Sequence, residues 1–279
     1  MPARPATEQL SKEIADRRPA RPARGTDLLA RIATPLVGAA VVLAAWQLYV
    51  RLSGIHESTL PAPTQVLADL YQSRLLLAQN AASTVAEILV GYAAAIVVGV
   101  GVAVLVHSSR TVERALYPWL VVSQTVPIPA IAPLIVLWTG FDLRPKIIVI
   151  ALVCFFPIAV NTIDGLKAAE PEMLDLLRSL GAGPWQRFWL ARLPAALPFV
   201  FSGLKVAATF SVIGAVFAEW VGSSAGLGQL ILILNNQTAT AEMFAVIVVL
   251  SAIGIALFLL VSLAERLLLP WYHEPRSPG

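Results

Sequence analysis

The chain has 279 residues, of which 57% are hydrophobic and only 13% charged, against about 45–50% and about 25% in soluble domains. So few charges cannot cover a globule of this length, so apolar surface must face lipid, and the mean hydropathy of +0.75 agrees. The net charge of +3 is what basic cytoplasmic loops give rather than a sign of nucleic acid, and the single cysteine, Cys154, excludes an intrachain disulfide framework.

Residues 1–31 carry seven Lys and Arg among scattered Pro and Ala. No apolar core with a cleavage site follows, so they do not read as a signal peptide. They are expected to form a flexible basic tail, with at most a short helix near Thr7–Arg18. A membrane-spanning helix needs about 20 mostly apolar residues, and six stretches qualify: 32–52, 82–106, 115–138, 146–166, 194–218 and 243–267. The second is rich in small residues, including Gly91, Gly99 and Gly101, which suits close helix packing in lipid. The third contains Pro118, Pro127, Pro129 and Pro133. Proline removes a backbone donor, so this span is expected to be kinked or split. A split is tolerated where protein or a water-filled cavity satisfies the freed carbonyls.

Counting basic residues on alternate sides orients the chain. Fifteen Lys and Arg fall on the side of the termini and of the 107–114 and 167–193 loops, and four on the other side. That bias predicts both termini in the cytoplasm. The outer side receives two longer loops. One runs from Ser53 to Ala81, with Leu60-Pro61-Ala62-Pro63 and an amphipathic Gln65–Gln79 stretch for which Thr64 is the expected N-cap. The other runs from Glu219 to Glu242, holds Gly226-Leu227-Gly228 and has no Lys or Arg. Its Glu219 and Trp220 read as a helix end and an interfacial anchor, or as a docking point for a partner.

The 29-residue stretch from Asp164 to Arg192 is long for this chain, and long ordered loops tend to be functional. Pro171 suits a first helical turn, with Glu172 and Asp175 near its positive end. Met173, Leu174, Leu177 and Leu180 share one face, and Gly181 and Gly183 provide the stop. A short amphipathic helix, a turn and an aromatic run through Trp185 to Leu193-Pro194 are expected. A helix lying flat on the membrane surface is the plainer alternative.

This segment resembles the permease subunits of ABC importers. Their loop signature reads EAA, three residues, G, nine residues, I, one residue, LP. Here Gly181 and Leu193-Pro194 keep that spacing, Asp175-Leu176-Leu177 stand at the EAA positions and Ala191 at the I position. Leu60-Pro61-Ala62-Pro63, Ser179-Leu180-Gly181-Ala182, Leu193-Pro194-Ala195-Ala196-Leu197-Pro198, Ala218-Glu219 with Gly226-Leu227-Gly228, and Leu269-Pro270-Trp271 look like the nitrate, sulfonate and taurine branch. The resemblance covers residues 32–272. It implies an all-α integral membrane fold of the type I importer permease kind, with six transmembrane helices and a cytoplasmic coupling helix. It implies a bacterial inner-membrane location, a permease homodimer, two cytosolic ATPase subunits and a periplasmic or lipid-anchored binding protein, with no cofactor. Glu172, Asp175, Leu176, Leu177, Gly181, Ala182, Trp185, Leu193 and Pro194 would couple to the ATPase. The cargo implied is a small organic or inorganic anion, or else a thiamine pyrimidine precursor or similar heterocycle.

No Gly is followed by Lys, so a phosphate loop cannot occur, and ATP hydrolysis would lie in a partner. His56, His107 and His273 are far apart, and no metal site or catalytic set is expected. Ser123, Gln124, Thr125, Asn161, Lys205 and Thr209 are the polar residues in the spans that could line a pathway, although interhelical hydrogen bonds or snorkelling would also account for them. A membrane enzyme would need clustered ionisable groups at one interface. A secondary transporter would show inverted repeats or several buried acids, and Glu87 is the one acid clearly inside a span.

Overall fold

The computed structural model describes residues 25–273, with side chains from residue 33 to residue 272. The short helix expected near Thr7–Arg18 lies outside them, as do residues 274–279. Helix α1, Gly25–Ser53, starts seven residues before the span expected at 32, so residues 25–31 belong to a helix rather than to a tail. It forms a unit by itself, with residues up to Gly54. Leu36, Val37, Val41 and Val42 are all exposed along it, as on a helix whose apolar sides meet lipid.

The second unit begins at Ile55. Its helices are α2 (Pro63–Gln72), α3 (Arg74–Ser108), α4 (Arg110–Ser123), α5 (Ile128–Thr139), α6 (Leu143–Lys167), α7 (Pro171–Ser179), α8 (Pro184–Arg187), α9 (Leu193–Gly222), α10 (Leu227–Asn236), α11 (Thr240–Leu268) and α12 (Pro270–His273). A π-turn, Phe188–Arg192, joins α8 to α9. Among the described residues, counting α1, five helices are long and apolar enough to cross a membrane. The pair α4 and α5 is bent by 99° at a break of four residues and makes up to six. The third span is therefore split rather than smoothly kinked. Pro127 caps α5, and its missing N–H lets the chain leave the helix.

The surface helix expected over Gln65–Gln79 is instead two helices. Ala62, not Thr64, is the N-cap of α2. Pro63 occupies the first turn, and the Gln65 side chain reaches back 2.7 Å to the Ala62 N–H, supplying an orphan donor with an acceptor. After Ser73 the chain turns directly into α3, which begins eight residues before the expected span.

Three helices, α3, α6 and α9, form the centre. They approach closely because small residues recur every fourth position, Gly91, Ala95, Gly99 and Ala103 on α3 and Gly203, Ala207, Ser211 and Ala215 on α9. A Cβ at Gly91 would stand 2.6 Å from Ile150 Cβ, and one at Gly203 2.7 Å from Pro157 O. Lipid gives apolar side chains no incentive to meet, so such close backbone contact carries helix association. Ile88, Tyr92, Ile150, Cys154, Ile158 and Leu257 fill the core between these seams, with α11 packed on α9. A second cluster joins Val66 of α2 and Leu77 of α3 to Leu227, Leu230 and Leu234 of α10 and Val246 of α11.

Candidate transport and coupling sites

Helix α7 starts at Pro171, as the sequence predicts, with Glu172 in its first turn. It ends on Gly181 at φ +78, the left-handed region glycine enters at no steric cost. Gly181 N–H donates to Arg178 O and Ala182 N–H to Leu177 O, each at 2.9 Å, which together are a Schellman stop. Asp175 pairs with Arg178 at 2.7 Å. None of the α7 residues is buried. Leu174 and Leu177 are half-buried, and Met173, Leu176 and Leu180 are exposed. Beyond the stop, Trp185 stacks on Phe188 at 6.0 Å and meets Trp189 edge-on at 5.5 Å. Trp185 stays 70% exposed, so these aromatic rings pack on one another yet remain uncovered.

The π-turn then carries the chain into Leu193-Pro194, with Leu193 N–H donating to Phe188 O. Pro194 has no N–H to continue the regular ladder. Arg192 Nη1 lies 2.5 Å from His107 Nε2, and Lys167 pairs with Glu113 at 2.6 Å. These contacts tie the start of α9 to the end of α3, and the end of α6 to α4.

Away from this end, the α4–α5 break opens beside α6 and α9 into a cleft of about 370 Å³. Ser123, Gln124 and Asn161 line it, with Phe156, Pro157 and Phe210. Thr125, Lys205 and Thr209 are not among its lining residues. Ser123 Oγ donates to Leu120 O at 2.7 Å and Thr125 Oγ1 to Val122 O at 2.8 Å. Both hydroxyls thereby satisfy carbonyls at the end of α4. Asn161 Nδ2 donates to Pro157 O at 2.8 Å, which uses one of its two N–H groups. Lys205 pairs with Glu265 of α11 at 2.8 Å, and Thr209 Oγ1 donates to Val206 O.

At the opposite end from α7 lie two polar knots that sequence reasoning missed. In the first, Lys146 of α6 meets Glu87 of α3 at 2.6 Å and Ser223 Oγ at 2.7 Å. The Glu87 side chain is only 3% exposed. In the second, Glu219 is wholly buried, so it cannot be a docking point for a partner. Its carboxylate accepts from Thr84 Oγ1 at 2.6 Å, from Gly228 N–H at 2.5 Å and from Gln229 N–H at 3.3 Å. Asn80 Oδ1 and Thr84 Oγ1 accept from Gly226 N–H and Leu227 N–H, each at 2.9 Å. The first turn of α10 is thus capped by side chains of α3 and α9, an internal use of the anion-binding helix N-terminus. Trp220 Nε1 donates to Gly228 O at 3.1 Å. The signal in the sequence was an acid seven residues before Gly226-Leu227-Gly228 in a loop without a cation. Spacing along the chain does not show that Thr84 and Asn80 come to meet it.

Residues 95–274 match the family model described as binding-protein-dependent transport system inner membrane component. The chain is 38% identical over 232 residues, 83% of its length and 92% of the relative's, to the formylaminopyrimidine transport permease protein ThiX of Halalkalibacterium halodurans. It is 34% identical to the riboflavin transport system permease protein RibX of Chloroflexus aurantiacus, over 87% and 93% of the two chains. It is 31% identical to the putative aliphatic sulfonates transport permease protein SsuC of Bacillus subtilis, over 84% and 86%. A structure of the MetNI methionine ABC transporter in an inward-facing conformation superposes with a TM-score of 0.62 at 21% identity, covering 70% of this chain and 97% of that one. That likeness bears on the fold, and the all-helical permease architecture expected from the sequence is the one found. A membrane permease of this kind is a transport subunit rather than an enzyme. The chain belongs to the binding-protein-dependent transport system inner membrane components, the permease subunits of ABC importers.

Proposed function

We propose that two copies of this chain form the translocation pathway of an importer in the bacterial inner membrane, with both termini in the cytoplasm. Two cytosolic ATPase subunits drive it, and a periplasmic or lipid-anchored binding protein delivers the solute. The orientation rests on the bias of fifteen basic residues to four. It puts α7, Trp185 and Leu193-Pro194 on the cytoplasmic side, and α2, α10 and the two polar knots on the outer side.

One observation carries the coupling role. Helix α7 is amphipathic, stopped by a Schellman turn, and leaves Met173, Leu176 and Leu180 uncovered at the bundle end. A membrane-surface helix would leave those residues uncovered too, but would not account for the Gly181 to Leu193-Pro194 spacing. Docked in a groove of the ATPase, α7 acts as a lever, with Glu172, Asp175, Leu177 and Ala182 setting its shape and Leu176 its contact. Closure of the ATPase pair then shifts the helices between two arrangements, a coupling of binding at one site to a bistable element elsewhere. The Arg192–His107 and Lys167–Glu113 contacts would pass that movement to α3, α4, α6 and α9.

The pathway is assigned to the cleft at the α4–α5 break, where Ser123, Gln124 and Asn161 converge. Relatives named for heterocycles and for sulfonates both match the chain, so the same importer architecture occurs with both kinds of cargo. Co-purification of the tagged chain from mild detergent tests the reading. Recovery of an ATPase subunit in equal copies supports it, and a lone, stable protein that transports without ATP refutes it.

A further inference from the structure

We infer that the cleft at the α4–α5 break is a cargo contact site selective for a neutral, planar heterocycle with hydrogen-bonding groups at its edge. This rests on the reading of the chain as the pathway subunit of an importer. The cleft encloses about 370 Å³, within the roughly 300–1,000 Å³ typical of small-molecule sites. Its lining holds no charged residue. Lys205, the one basic residue inside α9, is held by Glu265 at 2.8 Å. An anion that gives up water on entering this cleft would meet no cation in the lining, and an unpaired charge costs more to desolvate than a neutral polar ring.

What the lining does offer is the rings of Phe156 and Phe210 and two amides. Half-buried Asn161 spends one of its two Nδ2 N–H groups on Pro157 O, and that bond does not use its Oδ1. Its carbonyl would accept from an amino or ring N–H of the cargo. Gln124 stands exposed at the end of α4, and its side chain both donates and accepts. A flat apolar-faced ring with hydrogen-bonding groups at its edge matches a lining of aromatic side chains and amides. A small sulfonate or nitrate matches neither the rings nor the acceptor. An amide site rejects a cargo that lacks the matching donor more strongly than an apolar pocket discriminates by size.

The test uses the whole importer, permease with its ATPase and its own binding protein, in proteoliposomes. The probes are formylaminopyrimidine and, as the anion, ethanesulfonate. ATP-driven uptake of the neutral ring is expected, falling about tenfold in Asn161→Leu, the factor expected for one lost hydrogen bond. Gln124→Leu, at an exposed position, should lower uptake as well. Subunit composition of the purified complex checks assembly in each variant. ATP-driven uptake of ethanesulfonate in preference, uptake of neither probe by an assembled complex, or wild-type uptake in both variants would overturn the inference. Failure of the complex to contain an ATPase would sink the importer reading beneath it instead.

Discussion

Gly226 and Glu219 should be energetically coupled, because a Cβ at 226 would stand 2.3 Å from the Glu219 carboxyl carbon and 2.5 Å from both of its oxygens. Gly226 also sits at φ +119, ψ 162, a region essentially confined to glycine, at about 1–3 kcal/mol for other residues. Gly226→Ala must therefore meet that strain and also expel the carboxylate from its cradle. Expulsion leaves the Gly228 and Gln229 N–H groups without their acceptor, at roughly 1–3 kcal/mol each. The Thr84 hydroxyl would be spared, since Asn80 O stands 3.1 Å away as an alternative acceptor. The single variant should lose about 3–9 kcal/mol by these figures. Glu219→Ala alone should lose about 2–6 kcal/mol. In the Glu219→Ala background the clash is gone, so adding Gly226→Ala should cost only the backbone strain, about 1–3 kcal/mol. A double-mutant cycle on thermal or denaturant unfolding of the purified complex in detergent reads this directly. Equal costs for Gly226→Ala in the two backgrounds would show that the carboxylate does not fill the cradle.

Gly181→Arg should abolish stimulation of the ATPase by solute while leaving membrane insertion intact, since an Arg at φ +78 would break the stop that shapes α7. Solute-stimulated ATPase at the wild-type level in that variant would count against docking. Lys146→Met leaves Glu87 buried without its cation and should cost about 3–5 kcal/mol. Replacing both by Met should recover most of that loss, and a double variant as unstable as the single would refute the pairing. Gly91→Val should destabilise by about 1–3 kcal/mol through overpacking against Ile150. Gly101→Ala, with open space around it, should not lower the melting temperature and so serves as the comparison.

Much of this protein is legible before any folding is considered, because lipid imposes one local rule on every segment. A stretch in hydrocarbon must satisfy its own backbone, so length and apolarity alone mark the spans. The prolines at 127, 129 and 133 mark the third span as kinked or split for the same local reason, and the 99° break decides between the two. Helix α7 is equally local, as Pro171 starts it, Gly181 ends it, and both act within a turn of themselves. The small-residue period at Gly91, Ala95 and Gly99 announces close packing but not its partner.

Tertiary structure decided where the polar side chains go. Lys205 and Glu265 are 60 residues apart, Glu87 and Lys146 are 59, and Thr84 and Glu219 are 135, and each pair meets only once α3, α6, α9 and α11 have assembled. A buried charge must find a partner wherever one is brought near, and spacing along the chain carries no record of that approach. For this reason the sequence offers Glu219 as a helix end or a docking point, and the structure buries it near the end of α9 as the cap of α10. The cleft follows the same logic. Ser123, Gln124 and Asn161 are each unremarkable polar residues in a span, and become one site because a 99° bend turns the end of α4 toward α6.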